Sequence, residues 1–510
     1  MKEHSEGVAE ERKTYKLLLI SPRQKYVNYT AHVELAKIFG KKRLMTTLAL
    51  PTVAALTPSN YEIKIIDEEI EKIPKSYKPD IVGITTISAT ATRAYELGDF
   101  YRLQGAKVVL GGPLASYRVE ESLEHADSIV IGEAEVNWEN CLKDFEAGNM
   151  QPSYKNETKC EFKTSLIPRW DLVSTNKIFQ VAVQASRGCP FNCDFCLVSE
   201  LFGRKMRHRE IENVVAEIKA LPSKWVFFVD DNFTINKKYA GKLLEAIKPL
   251  GISWACQSSI DVAEDEDLLQ LMADSGCFNI LIGFESLNPE SLEETNKMHN
   301  KGAENFRKAV AAIYKYGINI NASFVVGFDN DTLDEFDNIY NFTLEAGLGN
   351  VNLHTLSAVP GTQLYEKMKA EKKLASMSLD LGVGFLPNLN YKNFSRLELF
   401  NKYMETIERI YSWETLNKKA NILFGKGTFV KPGADISFWL KLKMSGILLF
   451  EFILSRNKQK KALYKTIMKL KSKKLLSVDK GFGFLMYMLG INRHLKMHQN
   501  MMDEYRSIIK

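Results

Sequence analysis

The hydrophobic pattern along the chain changes character twice. Between Lys16 and Gly132, short β-branched runs (KLLLIS, YEIKII, IVGITTI, AKVVLGG and SIVIG) are separated by stretches of helical periodicity such as SATATRAYELGDFYRLQG. Uniformly apolar runs of this length suit strands covered on both faces, and helices between them make the sheet parallel. The pattern predicts a doubly wound, flavodoxin-like sheet with any ligand outside the carboxyl ends of its strands. A polar stretch, QPSYKNETKCEF, begins at Gln151 and reads as a linker. From Val181 the alternation restarts in VAVQAS, WVFFVDD, ISWACQS, NILIGFES, NINASFVVGF and VNLHTLS, each followed by helix-like sequence. Six such strands predict a partial (β/α)6 barrel with its chemistry at the strands' C-terminal ends. Past Lys373 the strand signal fades into helices rich in Lys, Leu, Met and Phe. The expected organisation is a polar tail at 1–14, a parallel-sheet domain at 15–150, a linker at 151–180, a barrel at 181–373 and a helical region at 374–510.

Composition agrees with three such parts. The 510 residues are 45% hydrophobic and 25% charged, which supports sizeable cores and excludes a disordered, collagenous or disulfide-scaffold chain. The seven cysteines are too sparse for a secreted disulfide framework, and three of them fall within eight positions. That clustering points to a metal site in a reducing compartment.

The net charge of +6 conceals an asymmetry. Lys418 to Lys510 holds 20 Lys and Arg against 5 Asp and Glu, a net of +15, so +6 less +15 leaves −9 for the rest. A cationic end on an acidic body suits an anionic partner such as a membrane surface or an acidic protein, or else a solvated helical face. No aromatic-interleaved motif accompanies the charge, so nucleic acid is not expected. The N-terminal MKEHSEGVAEERKTY lacks the apolar core of a secretory signal. The most apolar stretch, Ile436 to Leu454, is interrupted by Lys441, Lys443 and Glu451, which argues for an amphipathic or core helix rather than a span. A cytoplasmic protein, peripheral to the membrane at most, is expected.

The sharpest chemical feature is SRGCPFNCDFCLVSELFGRK, where Cys189, Cys193 and Cys196 directly follow the first barrel strand. Three thiolates hold three irons of a 4Fe–4S cube and leave the fourth open, and an open coordination position separates a reactive metal from a structural one. The alternative is a zinc site completed by His208 or another residue, but zinc knots usually present a second Cys or His pair at short spacing and none follows here. Cys141, Cys160, Cys256 and Cys277 are scattered singly.

The arrangement CPFNCDFC, with Phe195 before the third cysteine, resembles the radical S-adenosylmethionine (radical SAM) signature, and the likeness covers Val181 to Lys373. By that resemblance Asp230 and Asp231, in VFFVDDNF, or the backbone beside them, stand where relatives meet the methionine amino group of the cofactor, although many relatives carry a Gly-Gly-Glu segment there. Gln257, Glu285 and Ser286 stand where they contact its carboxylate or ribose, and Gly327 with Phe328 where they cradle adenine. Acidic residues at strand ends also serve simply as helix caps. A preceding five-stranded sheet resembles the cobalamin-binding subgroup. There, Thr85 and Ser88 in GITTIS, Gly111, Gly112 and Pro113 in GGPLAS, and Glu133 in IGEAE correspond to strand ends that receive the corrin and its nucleotide tail. None of His4, His32 or His125 lies in a DxHxxG context, so cobalamin would lack a protein histidine ligand.

The runs KKRLMTTLALPTVAALTPSNYEIKIIDEEIE, GGPLASY, SRGCPFNCDF, VFFVDDNFTINKK and AVPGTQLYEKMKAEKKL resemble the hopanoid methylase group in particular. The resemblance implies a 4Fe–4S cluster, S-adenosylmethionine and cobalamin acting together to methylate an unactivated carbon of a lipid or peptide, with electrons from a flavodoxin or ferredoxin. It names no protein general base; His354, at the end of the sixth strand, is a candidate to face the substrate, and Tyr365 a weaker one. A cobalamin-free radical SAM enzyme that joins or cyclises lipid carbons, and a non-enzymatic cobalamin- or metal-binding module, are the alternatives.

Overall fold

The computed structural model describes residues 13–24, 33–74, 76–155, 159–162, 166–297, 303–376, 386–429 and 438–509. The chain forms two compact units: residues 1–23, 49–160 and 168–173 make the first, and 24–48, 161–167 and 174–510 the second. The sequence range 15–150 is therefore interrupted, because residues 24–48 leave the first unit.

Strand β1 (Tyr15–Ser21) begins the first sheet, while β2 (Arg43–Met45) belongs to the second unit. Then come β3 (Tyr61–Asp67), β4 (Ile81–Thr85), β5 (Lys107–Gly111), β6 (Ser128–Ile131) and β7 (Ser153–Lys155). The sheet order is β3-β1-β4-β5-β6-β7, with every pairing parallel. Leu17 and Leu18 point to opposite faces and both are fully buried, as an all-apolar strand between two helical layers requires. The expected five strands gain a sixth, β7, from the segment read as linker. Its sequence is SYK, and a polar three-residue edge strand carries no hydrophobic signal.

In the second unit, β8 (Ile178–Val183) leads into a two-stranded antiparallel ribbon, β9 (Ser186–Arg187) with β10 (Arg207–His208). The sheet continues through β11 (Trp225–Phe228), β12 (Ser253–Ser258), β13 (Cys277–Glu285), β14 (Asn319–Val326) and β15 (Asn350–Thr355). Its order is β15-β14-β13-β12-β11-β8-β2, all parallel, so the six expected strands form a part-barrel and β2 adds a seventh at one edge. Alternation decides which side chains face the helices. Ile320, Ala322, Phe324 and Val326 of β14 are buried in the main core, whereas Asn319, Asn321 and Ser323 take the other face. Phe284, Phe306, Phe324 and Phe342 form an aromatic knot there, with ring centroids 4.9–6.4 Å apart.

After α1 (Val198–Phe202) and α2 (Gln363–Ala370), the C-terminal helices are α3 (Arg396–Ile410), α4 (Trp413–Gly425), α5 (Phe438–Leu454), α6 (Lys458–Ser472), α7 (Val478–Gln499) and α8 (Met502–Ile509). Ser395 and Glu398 make a capping box that starts α3, and Ser412 caps α4. These helices do not form a body apart: Leu399, Tyr403, Leu416, Leu463 and Met488 belong to the same continuous core as the barrel. Tyr411 closes the β15 edge, its hydroxyl donating to the Val351 carbonyl (2.7 Å) and accepting from the Val351 amide (2.9 Å).

Candidate cofactor sites

The three cysteines sit on the loop that leaves β9. Gly188 must precede Cys189 as glycine: its φ is +94°, and a Cβ there would lie 2.8 Å from the Lys205 carbonyl oxygen. The loop is then held at several points. Asp194 donates its amide to Thr295 (3.4 Å) and accepts from the Asn296 side chain (2.6 Å) and the Leu364 amide (2.9 Å). Gln363, at the start of α2, reaches the side chains of Asn192 and Glu200.

Cys193 is buried, Cys189 and Cys196 partly so, and burial raises all three thiols, Cys193 to about 12. Lys297 opposes this at every one of them. Its ammonium lies 6.0 Å from the centre of the Phe195 ring and is paired with Glu285. A cluster held by three thiolates is anionic, and a buried cation beside the donors suits it; taking up iron releases the thiol protons. Among the described residues no three Cys, His, Asp or Glu close on one point, the three cysteines included. His208 is in β10 with its ring 4.4 Å from that of Tyr239.

Asp230 and Asp231, at the end of β11, turn toward this loop. Asp230 is 2% exposed and accepts from the Ala185 amide (3.0 Å), the Ser186 amide and the Ser186 hydroxyl (2.6 Å); burial still raises it to about 7. Asp231 accepts from the Gly188 amide (2.9 Å). The two carboxylates thus fix the approach to Cys189.

Gln257 is exposed at the end of β12. Glu285 sits at a register shift of β13 with φ +61°, a conformation that costs of order 1–3 kcal/mol in a residue other than glycine. Gly283 makes room for its ion pair: a Cβ there would lie 2.8 Å from Lys297 Nζ. Ser286 uses its hydroxyl locally, accepting from the Asn288 amide (3.0 Å).

Gly327, at φ +130°, lies where a Cβ would meet Tyr391 at 2.8 Å. Asp331 accepts from the amides of both Gly327 (2.9 Å) and Phe328 (3.1 Å). Phe328 is buried with Leu356, Leu364 and Leu389, and Phe195 and Tyr365 pack on the same cluster. His354 is half-buried, on the same face of β15 as Asn350 and Asn352. Sequence reasoning missed Lys297, Asp331 and Tyr391. Asp331 had a signal, the turn sequence GFDND that immediately follows a strand.

In the first unit the strand ends of β4, β5 and β6 meet around Gly112. Its φ is +98°, and a Cβ would fall 2.7 Å from the Thr86 carbonyl oxygen and 3.2 Å from the Thr85 hydroxyl. Gly111 has only ordinary contacts, and Pro113 opens the short helix that follows. Thr86, fully buried, ties the strands by donating to the Gly111 carbonyl (2.9 Å) and accepting from the Ala115 amide (3.0 Å). Thr85 and Ser88 on either side are half-buried. Glu133, 8% exposed, accepts from the Cys160 amide (2.9 Å). Gly112 is required by the close approach of Thr86, and the half-buried Thr85 and Ser88 hydroxyls at the same strand ends are polar groups that fit a cofactor's nucleotide tail. His125 is engaged elsewhere, bonded to Asp99 and stacked on Tyr95; His4 and His32 lie outside the described residues.

Comparison with known proteins gives the family of both units. The model of the Radical SAM superfamily matches residues 183–343, and that of the B12 binding domain matches residues 44–142. The bacteriochlorophyllide d C-12(1)-methyltransferase of Chlorobaculum tepidum is 30% identical over 374 residues, covering 71% of this chain and 80% of the relative. The hopanoid C-2 methylase of Rhodopseudomonas palustris is 25% identical, with 65% of each chain covered. The radical S-adenosylmethionine methyltransferase TsrM from Kitasatospora setae, solved with cobalamin and a [4Fe-4S] cluster bound, shares the fold: TM-score 0.59, 13% identity, 90% of this chain and 99% of that one covered.

Proposed function

The chain belongs to the cobalamin-dependent radical SAM methyltransferases, and we propose that its acceptor is an unactivated carbon of a polycyclic, membrane-borne lipid. The observation that carries the radical chemistry is the three-cysteine loop at the barrel's strand ends, locked by Asp231 and faced by Lys297, and the lipid acceptor is supported by the hopanoid relative. When bound, the 4Fe–4S cluster, S-adenosylmethionine and cobalamin supply radical generation and the methyl group, chemistry that no side chain performs at a C–H bond of negligible acidity.

The protein's own part is to hold and to exclude. Cys189, Cys193 and Cys196 bind the cluster, and Asp230 and Asp231 keep their loop in register. Gln257, Glu285 and Ser286 would meet the carboxylate or ribose of S-adenosylmethionine, while the backbone of Gly327 and Phe328, held by Asp331, would cradle its adenine. Thr85, Ser88, Gly111, Gly112, Pro113 and Glu133 receive the corrin. His354 faces the acceptor. Positioning of this kind supplies most of what a protein adds to a cofactor reaction.

Electrons come from a flavodoxin or ferredoxin, and the enzyme works in the cytoplasm at the membrane face. Relatives named for a hopanoid and for a bacteriochlorophyllide support a large ring system as acceptor. The second of those names favours one other reading, a chlorin macrocycle. Expression in an anaerobic host, with mass spectrometry of the lipid and pigment extracts, separates the two. A 14 Da increment in a polycyclic lipid supports the first reading; an increment confined to the pigment replaces it with the second.

A further inference from the structure

Helix α5 is predominantly apolar, with Lys441, Lys443 and Glu451 its only charged residues, yet one side of it is bare. Met444 and Leu448 are buried on one face. On the opposite face Leu442, Leu449, Phe450, Ile453 and Leu454 are 53–62% exposed, and at 100° per residue they fall on a single stripe with Gly446. No helix among the described residues is long and apolar enough to cross a membrane.

Charge decides what covers the stripe. From Phe438 to Lys474 there are ten lysines, one arginine and a single acid, Glu451, and Glu451 is already occupied by Lys460 and Arg493. In α6 the outward face is Lys458, Lys461, Lys465 and Lys469, spaced three or four residues apart. Lys461 Nζ stands 5.7 Å from the ring of Phe452, which packs on the core side of α5, so the α6 lysines begin along the flank of α5 near its C-terminal end. Lys443 lies within the angular span of the stripe, one turn and more before Phe450, with its ammonium beside Gly40.

We propose that α5 lies in the plane of an anionic membrane, its Leu442–Leu454 stripe sunk among the acyl chains, with the α6 lysines on the lipid phosphates. In-plane helices bind through buried apolar area together with attraction to anionic headgroups, and both ingredients are present here. A second copy of this chain is a poorer occupant, since it would bring another lysine face against this one.

This inference deepens the reading of a membrane-borne acceptor, but its test needs neither acceptor nor turnover. The reconstituted full chain is sedimented with vesicles of phosphatidylcholine alone and with one-third phosphatidylglycerol. The wild type is expected to partition to the anionic vesicles and to be released by high salt. The double variant Leu449→Glu/Ile453→Glu should lose at least tenfold in partitioning at either lipid composition. Lys465→Glu/Lys469→Glu should lose it on anionic vesicles alone. Unchanged partitioning in both variants, or no vesicle binding by the wild type, overturns the proposal. So does sedimentation equilibrium that shows a dimer dissolved by Leu449→Glu/Ile453→Glu. A chain that binds vesicles but methylates no lipid refutes the acceptor alone.

Discussion

Lys297 and Glu285 are 12% and 10% exposed, and neither can lose the other without stranding a charge in a nearly dry place. Lys297→Met is expected to destabilise the protein by about 3 kcal/mol, and Lys297→Met with Glu285→Gln to recover most of that loss, as read from urea denaturation. The single variant also removes the cation that draws protons off the three thiols, so its iron content after reconstitution at limiting iron should fall below that of the wild type. Gly112→Ala forces a side chain to φ +98° against the Thr86 carbonyl. It should cost about 1–3 kcal/mol and abolish the corrin absorbance retained after gel filtration. Residues of this kind differ in how plainly the chain announces them. The cysteines are legible because their spacing is itself the chemistry. Lys297 is hidden because it stands 101 positions beyond Cys196 in a polar turn, where a lysine ordinarily means a solvated surface.

At the scale of elements, the end of β11 shows what a strand terminus can do besides meeting a ligand. Burial raises Asp230 from 3.8 to about 7, so the folded state holds its proton more tightly than the unfolded chain does. Its stabilising contribution is then complete below pH 4 and lost as pH rises toward 7. Asp230→Asn should flatten that part of the stability profile, measured as thermal melting from pH 4 to 7 relative to wild type. At the far edge of the same sheet, Tyr411→Phe removes two buried hydrogen bonds to β15 and should cost about 1–3 kcal/mol in urea denaturation. Long strands such as β13 and β14 are evident from their apolar alternation. The three-residue strands β2 and β7 are not, because pairing at a sheet edge needs backbone groups rather than side chains, and backbone leaves no mark in a sequence.

For the whole molecule, the change from strands to lysine-rich helices near Lys373 suggests a boundary that packing does not honour. Phe424 and Phe429 meet edge to face, Tyr314 turns its ring onto Phe429, and Leu476 is buried in the same core. Truncation after Phe429 should therefore give a chain without a cooperative thermal transition, checked by circular dichroism and limited proteolysis. A hydrophobic pattern shows which residues are buried but not which elements share a core, so two parts that look separable can be one. The path of residues 24–48 carries a related lesson for synthesis. Thr46 receives the amide of Ala182, 136 positions later, so when β2 leaves the ribosome its partner does not yet exist. During that interval the growing polypeptide holds an unfinished β-edge, and nascent-chain chaperones have their clearest reason to attend here.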